Sequence, residues 1–447
     1  MHFSFAQRVL CSLLSALIIS WTLPALAQAA PDEVVYLGDV EGKLSRLTTF
    51  LEGSGAFVHN GAQWDLKPGK KLVFSGDAID RGDNGREVLR QLLDLKKRYP
   101  DRVVFTLGNR DIMKLVLSPE LSDANMAVSI PPYDQWLADN HIDARLFRQD
   151  KPTKLRWMLS AIGAKAAFED YRTELRREGK PAGDQDVLIS YLADLKSGGL
   201  LASYLESAQL AYVDAPTGTL FVHGAANEEN FGRLPEHPAV RLKRVGDWVT
   251  ELNRWSKAEV AKGIAQAQPS VNGAQALVDS IMRDPTTHSN HTSVVTARYF
   301  DDKGVPGMPS DALIAKLKSQ GVRRIAVGHT PTGEIPLVMV RDGFEIVMAD
   351  QSFNSSGKSG AISITEKGVK MSSELPGVGM VFVDTANGIP EHVGQLLPSG
   401  ELVAGKLASG EIVLFKKDAS FKPGYRVVTA ATVRTLLRPG SCAVLFN

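Results

Sequence analysis

The stretch LVFSGDAIDRGDNG, residues 72–85, runs an apolar strand directly into two carboxylates, Asp77 and Asp80, and then an arginine, Arg81, set among acids and glycines. The same transition recurs on either side of it. VVYL (34–37) ends in Gly38 and Asp39, and RVVFTL (102–107) ends in Gly108 and Asn109. Leu44, Leu47, Phe50 and Leu51 recur at helical spacing after the first strand, and a second helix, REVLRQLLDLKKRY, follows Gly85. Three such units, each delivering a glycine and then a polar residue to the carboxyl end of a strand, predict an α/β sheet with its ligand site along that edge. Charge is crowded at residues 77–81 because several strand ends converge there.

Downstream, TLFVHGAAN (219–227), VRRIAVGHTPTG (322–333) and FEIVMAD (344–350) return to strand-then-ligand form. Residues 115–215 carry helical periodicity punctuated by Gly and Pro, which predicts a helical insertion, and a further helical stretch is predicted over about 238–283. Trp248 and Trp255 fall on one face of that stretch and predict core packing. Past residue 372 the text turns to short strands and Gly turns. The near-repeat of SGELVAG (399–405) and SGEIVLF (409–415) predicts a small β-rich extension over 373–447, built of stacked hairpins.

At 447 residues the chain exceeds one comfortable core, and Lys+Arg 51 against Asp+Glu 50 leaves no basic field that would argue for nucleic acid. Arg8, the apolar run VLCSLLSALIISW, Pro24 and the small-residue stretch ALAQAA (25–30) have the layout of a signal peptide over residues 1–29. The apolar run is short for a permanent span. An exported bacterial protein, periplasmic or secreted and without stable membrane insertion after cleavage, is therefore expected. Cleavage would leave Cys442 alone, with no intrachain disulfide.

The polar residues delivered at strand ends, Asp39, Glu41, Asp77, Asn109, His223 and His329, combine carboxylates, an amide and imidazoles, a ligand set for one or two divalent cations. A central carboxylate such as Asp77 can bridge two ions that share a water. GDVEG, GDAIDRG, GNRD, VHGA and GHTP, in this order, resemble the signature of the calcineurin-like metallophosphoesterases, and GDAIDRG is similar to the form used by the phosphoprotein phosphatase (PPP) branch. The resemblance covers about residues 33–115, 218–228 and 280–372. It implies a metallophosphoesterase-type β-sandwich flanked by helices, within a domain spanning residues 30–372. It also implies Asp39 and Asp77 on a first metal, and Asp77, Asn109, His223 and His329 on a second. Arg81 resembles the family's phosphate-gripping arginine, Asp80 would orient a neighbour, and Arg298 in TARYF (296–300) would be a second phosphate ligand.

Two departures from the family pattern carry chemical weight. Glu41 stands where the first motif has histidine. Either it ligates, favouring Mn²⁺ or Mg²⁺ over Zn²⁺, or it points away and leaves a weaker first site. Two divalent ions are expected, Mn²⁺ foremost, with Fe, Zn²⁺ or Mg²⁺ as alternatives. Arg110 stands where relatives place the histidine that protonates the leaving group, and a guanidinium keeps its proton near neutral pH. Arg110 then adds charge against the phosphate, or His288 or His291 supplies the proton, or the leaving group needs little help. Asp111 either pairs with Arg110 or is a helix N-terminal acid. Asp350 would support His329 or the fold. The resulting expectation is a metal-dependent phosphomonoester hydrolase acting on a phosphorylated protein, with a phosphotyrosine preference because phenolate leaves more easily than alkoxide. A nucleotide or dinucleoside polyphosphate phosphatase, and a degenerate scaffold that binds a protein partner, are the alternatives.

Overall fold

Along the strand β1 (Glu33–Leu37), Val34 and Tyr36 face one way, Val35 and Leu37 the other, and all four are fully buried. A strand buried on both faces needs cover on both. The computed structural model describes residues 33–61, 63–128, 137–138, 150–265, 274–282, 290–388, 392–418 and 420–437. The signal-peptide reading, His288 and Cys442 lie outside those residues.

After β1 come a small hairpin, β2 (Phe57–His59) with β3 (Trp64–Leu66), and then β4 (Lys70–Phe74) and β5 (Val103–Phe105). β1, β4 and β5 are parallel neighbours connected through the helices α1 (Leu44–Gly53) and α2 (Gly85–Arg98). A second sheet repeats the device. It contains β6 (Ala211–Asp214) and β7 (Thr219–Val222), then, after a hairpin of β8 (Arg233–Leu234) and β9 (His237–Arg241), β10 (Arg324–Val327), β11 (Leu337–Arg341) and β12 (Phe344–Met348). Its order is β11-β12-β10-β7-β6, with β7, β10 and β12 parallel. Val34, Tyr36 and Val73 of the first sheet share a buried cluster with Phe221, Ala326 and Val347 of the second, and the rings of Tyr36 and Phe221 lie 5.2 Å apart. The alternate residues Val35, Leu37, Leu72 and Phe74 belong to the other cluster, with side chains of α1 and α2. This is the expected α/β sandwich.

The strands beyond β12 extend the first sheet. β13 (Ala361–Thr365) pairs antiparallel with β1, and β14 (Gly368–Leu375), β15 (Gly379–Asp384), β16 (Leu402–Leu407), β17 (Ile412–Lys417) and β18 (Pro423–Val428) follow edge to edge, for nine strands in all. Residue 372, the expected domain boundary, lies inside β14, and the described residues form one compact unit. The hairpin of the two SGE segments is β16–β17. The physical reason for the continuity is β1 itself: its second edge would otherwise expose unpaired backbone groups.

The insertion contains helices Lys151–Ala161, Ala167–Arg177, Asp184–Asp194 and Leu200–Ser207. It ends earlier than its periodicity suggested, because Ala211–Asp214 pairs as a hairpin with β7. The later helix begins at Val245 rather than 238, since His237–Arg241 is a strand, and it buries Trp248 and Trp255 as predicted. The insertion is docked through polar contacts. Glu174 accepts the backbone N–H groups of Arg86 and Glu87 at 2.9 and 2.8 Å, in the first turn of α2, and Arg86 reaches Glu178 at 3.0 Å, Asp194 and the Tyr171 hydroxyl at 2.6 Å. Among the described residues no helix is long and apolar enough to cross a membrane.

Candidate active site and metal centre

The six parallel strands of the two sheets deliver one polar residue each, just past their carboxyl ends. Asp39 follows β1, Asp77 follows β4, Asn109 follows β5 and begins the helix α3 (Asn109–Met113), His223 follows β7, His329 follows β10 and Asp350 follows β12. The turns are sharp: Glu41, Asp77, Asp80 and His329 all have left-handed backbone, with φ of 51°, 53°, 115° and 61°. Non-glycine residues adopt that conformation at a cost, so the surrounding fold must hold them there. Two motif glycines make room. A Cβ on Gly108 would lie 2.0 Å from Asp77 Oδ1, and one on Gly328 would lie 2.2 Å from Asp39 Oδ1.

Asp39, Asp77 and His223 are buried and present ligand atoms that all lie within 4.8 Å of one another. His223 Nε2 is 3.6 Å from Asp77 Oδ2 and 3.3 Å from Asn109 Oδ1, and Asn109 Oδ1 is 2.8 Å from His329 Nδ1. His223 Nδ1 meets the carbonyl of Ser75 at 2.7 Å; a carbonyl only accepts, so Nδ1 carries a proton and Nε2 is the atom turned to the cluster. Asp39 accepts from the Ser75 hydroxyl at 2.6 Å and the His329 amide at 3.1 Å.

Electrostatically the cluster calls for positive charge. Burial, then Asp350, pushes Asp39 well above the usual carboxylate range. Although burial opposes it, His223 and Arg110 hold Asp77 at about 2, and Asp77 with Asp39 raises His223 to about 10, again against burial. Carboxylate oxygens, an amide oxygen and imidazole nitrogens around concentrated buried negative charge fit a divalent cation site.

Glu41 stands outside this group. Its carboxylate meets Arg81 Nη1 at 3.0 and 3.2 Å and Arg110 Nε at 3.1 Å, so it joins two guanidiniums. Burial raises it to about 7, against the pull of Arg110 and Arg81. Arg110 also lies 3.6 Å from Asp77, and its Nη1 is buried with no hydrogen-bond partner among the described residues. Arg81 donates to the carbonyl of Gly163, in the helical insertion, at 3.2 Å and packs 4.3 Å from the Phe353 ring. Arg298 has a buried, unpartnered Nε. The three arginines, the acids and His329 line one cavity of about 520 Å³.

Two expected site residues lie beneath that cavity. Asp80 forms a fully buried ion pair with Lys114. Asp111 does not pair with Arg110: it accepts the amides of Gly108, Asp77 and Ala78 at 2.8, 2.9 and 3.2 Å, so it is the helix-start acid of its alternative reading and also fixes the Asp77 turn. His291 is exposed and absent from the cavity wall. Asp350 lines the cavity and accepts the Ser352 amide at 2.8 Å. Sequence reasoning missed Gly163, Phe353 and Arg46. Arg46, wholly buried in α1, bonds the Ser352 carbonyl and Asn354, 3.3 Å away, and so holds the loop that carries Phe353. The sequence signal of Arg46 is a charged residue interrupting the apolar face of α1.

Residues 33–339 match the family described as calcineurin-like phosphoesterase. Shorter similarities exist to the serine/threonine-protein phosphatase 4 catalytic subunit of Kluyveromyces lactis, 33% identical over 82 residues, 18% of this chain and 23% of that protein. The serine/threonine-protein phosphatase rdgC of Drosophila melanogaster is 35% identical over 86 residues, 19% of this chain and 12% of that protein. The chain thus spans less than a quarter of the length of these curated relatives. A cold-active protein-tyrosine phosphatase of a psychrophilic Shewanella superposes with a TM-score of 0.44 at 16% identity, covering 79% of this chain and 80% of that one.

Proposed function

The chain belongs to the calcineurin-like phosphoesterases, and from that premise we propose that it is a metal-dependent protein phosphatase that prefers phosphotyrosine to phosphoserine. The observation that carries this reading is Arg110: a guanidinium occupies the cavity beside the ligand cluster, with a free N–H, where a proton donor would serve an alkoxide leaving group.

Asp39 and Asp77 would hold one cation, and Asp77, Asn109, His223 and His329 a second. When bound, such cations supply a water acidified enough to attack phosphorus. The chain does the rest. Arg81, Arg110 and Arg298 present N–H groups to the phosphoryl oxygens, where charge gathers as the bond to the leaving oxygen breaks. Glu41 holds Arg81 and Arg110 side by side. Arg110 keeps its proton, so the leaving oxygen departs with little proton transfer, a smaller handicap for a phenolate than for an alkoxide. With Glu41 committed to arginines, the first site offers carboxylate oxygens only, which favours Mn²⁺ over Zn²⁺. The similarity of one segment to serine/threonine phosphatases supports a phosphoprotein substrate. Export through residues 1–29 belongs to the same proposal and would place the enzyme in the periplasm or outside the cell.

The test is turnover of phosphotyrosine and phosphoserine peptides by metal-stripped protein given Mn²⁺, Mg²⁺ or Zn²⁺ in turn. Mn²⁺ should restore cleavage most fully, and faster on phosphotyrosine. Equal rates on the two peptides would remove the leaving-group argument. No restoration, even on an aryl phosphate, would favour a partner-binding scaffold.

A further inference from the structure

Lys417, the last residue of β17, carries a buried amine that makes no ion pair among the described residues. It is 4% exposed, its amine lies 4.3 Å from the centre of the Phe300 ring, and no hydrogen bond or ion pair holds it among the described residues. Burial, then the nearby Arg298, pulls its pKa down to about 8, against the more distant pull of Asp350. An ammonium left in this condition weakens the fold, and an anion brought to it would recover the lost interaction.

The space that would admit an anion is present. Lys417 borders a cavity of about 440 Å³ that shares Arg298, Pro331 and Phe353 with the catalytic cavity, so Arg298 stands between the two. Phe421 and Tyr425, from the end of the β17–β18 hairpin, supply an aromatic wall. Tyr425 is fixed in place: its hydroxyl donates to the Thr332 carbonyl at 2.6 Å and accepts the Glu334 amide at 2.8 Å, just past His329 in sequence. Glu334, the acid on this wall, turns both carboxylate oxygens to the Ser355 amide at 3.1 Å. Arg298, Lys417 and Lys422 therefore outweigh it.

We propose that this second cavity is a substrate subsite for an anionic side chain, an aspartate, a glutamate or a further phosphorylated residue flanking the one whose phosphate is cleaved, with Lys417 as its counter-charge. The inference rests on the phosphoprotein reading above, and adds to it a sequence preference set by a hairpin that lies beyond the family-matched residues 33–339.

The experiment compares kcat/KM for phosphotyrosine peptides in which each flanking position in turn is Asn, Asp or phosphoserine, together with an aryl phosphate that has no flanks. The native chain and the variants Lys417→Met and Lys417→Gln are each loaded with Mn²⁺. At one flanking position the native enzyme should favour Asp or phosphoserine over Asn by about tenfold, through KM, and both variants should bring that ratio to within about twofold of unity. A gain with phosphoserine but not Asp would assign the subsite to phosphate. Hydrolysis of the aryl phosphate with no acidic preference, or with a preference that survives both variants, overturns the subsite and leaves the phosphatase reading standing. Failure to hydrolyse any substrate overturns both.

Discussion

At position 110 a single residue carries the proposed leaving-group preference. Its guanidinium is anchored by Glu41 and lies near Asp77, which fixes it as a charge rather than a proton donor. Arg110→His should therefore raise phosphoserine turnover relative to phosphotyrosine, by about tenfold or more if the imidazole acts as a general acid. An unchanged ratio would show that the leaving group is not what Arg110 discriminates. The residues that follow apolar strands, Asp39, Asp77, Asn109, His223 and His329, were legible in the sequence because the strand pattern fixes where each emerges. Glu41 was not settled by that logic. Its choice between a cation and two arginines depends on residues 81 and 110 arriving beside it, and no local spacing encodes that arrival.

At the scale of elements, the helical insertion does two jobs: it walls the cavity through Gly163 and it caps α2 through Glu174. Two first-turn N–H groups of α2 depend on that one carboxylate. Glu174→Ala should lower stability by about 1–2 kcal/mol, measured as a shift in the denaturation midpoint, while Glu174→Gln should recover part of the loss. A wild-type midpoint for the alanine variant would mean that Arg86, with its contacts to Glu178, Asp194 and Tyr171, docks the insertion unaided. The helices of the insertion were legible from their period. β6 was not, because four residues whose partner strand lies past a turn carry too little alternation to stand against a helical neighbourhood. The later hairpins were legible as strands, but their membership in the first sheet was not, since sequence pattern does not say which edge a strand joins.

For the whole molecule, the site is a seam between two sheets. Asp39, Asp77 and Asn109 come from one and His223, His329 and Asp350 from the other, with several buried carboxylates facing one another. Divalent cations should therefore act as a clamp. Mn²⁺ in hundredfold excess over its dissociation constant should add about 2.7 kcal/mol to the unfolding free energy, visible as a rise in Tm that a chelator reverses. A Tm indifferent to metal would remove the clamp. The seam also sets a timetable for the nascent chain. His329, whose amide bonds Asp39, lies 290 residues after it, so the first ligand waits for most of the polypeptide before its last partner appears. The early motifs share one sheet, and the histidines of the other sheet complete the cluster only when the later strands have been made. If the proposed export holds, a chain threaded outward before folding would cross with its ligand cluster unassembled, and the site would form only on the far side.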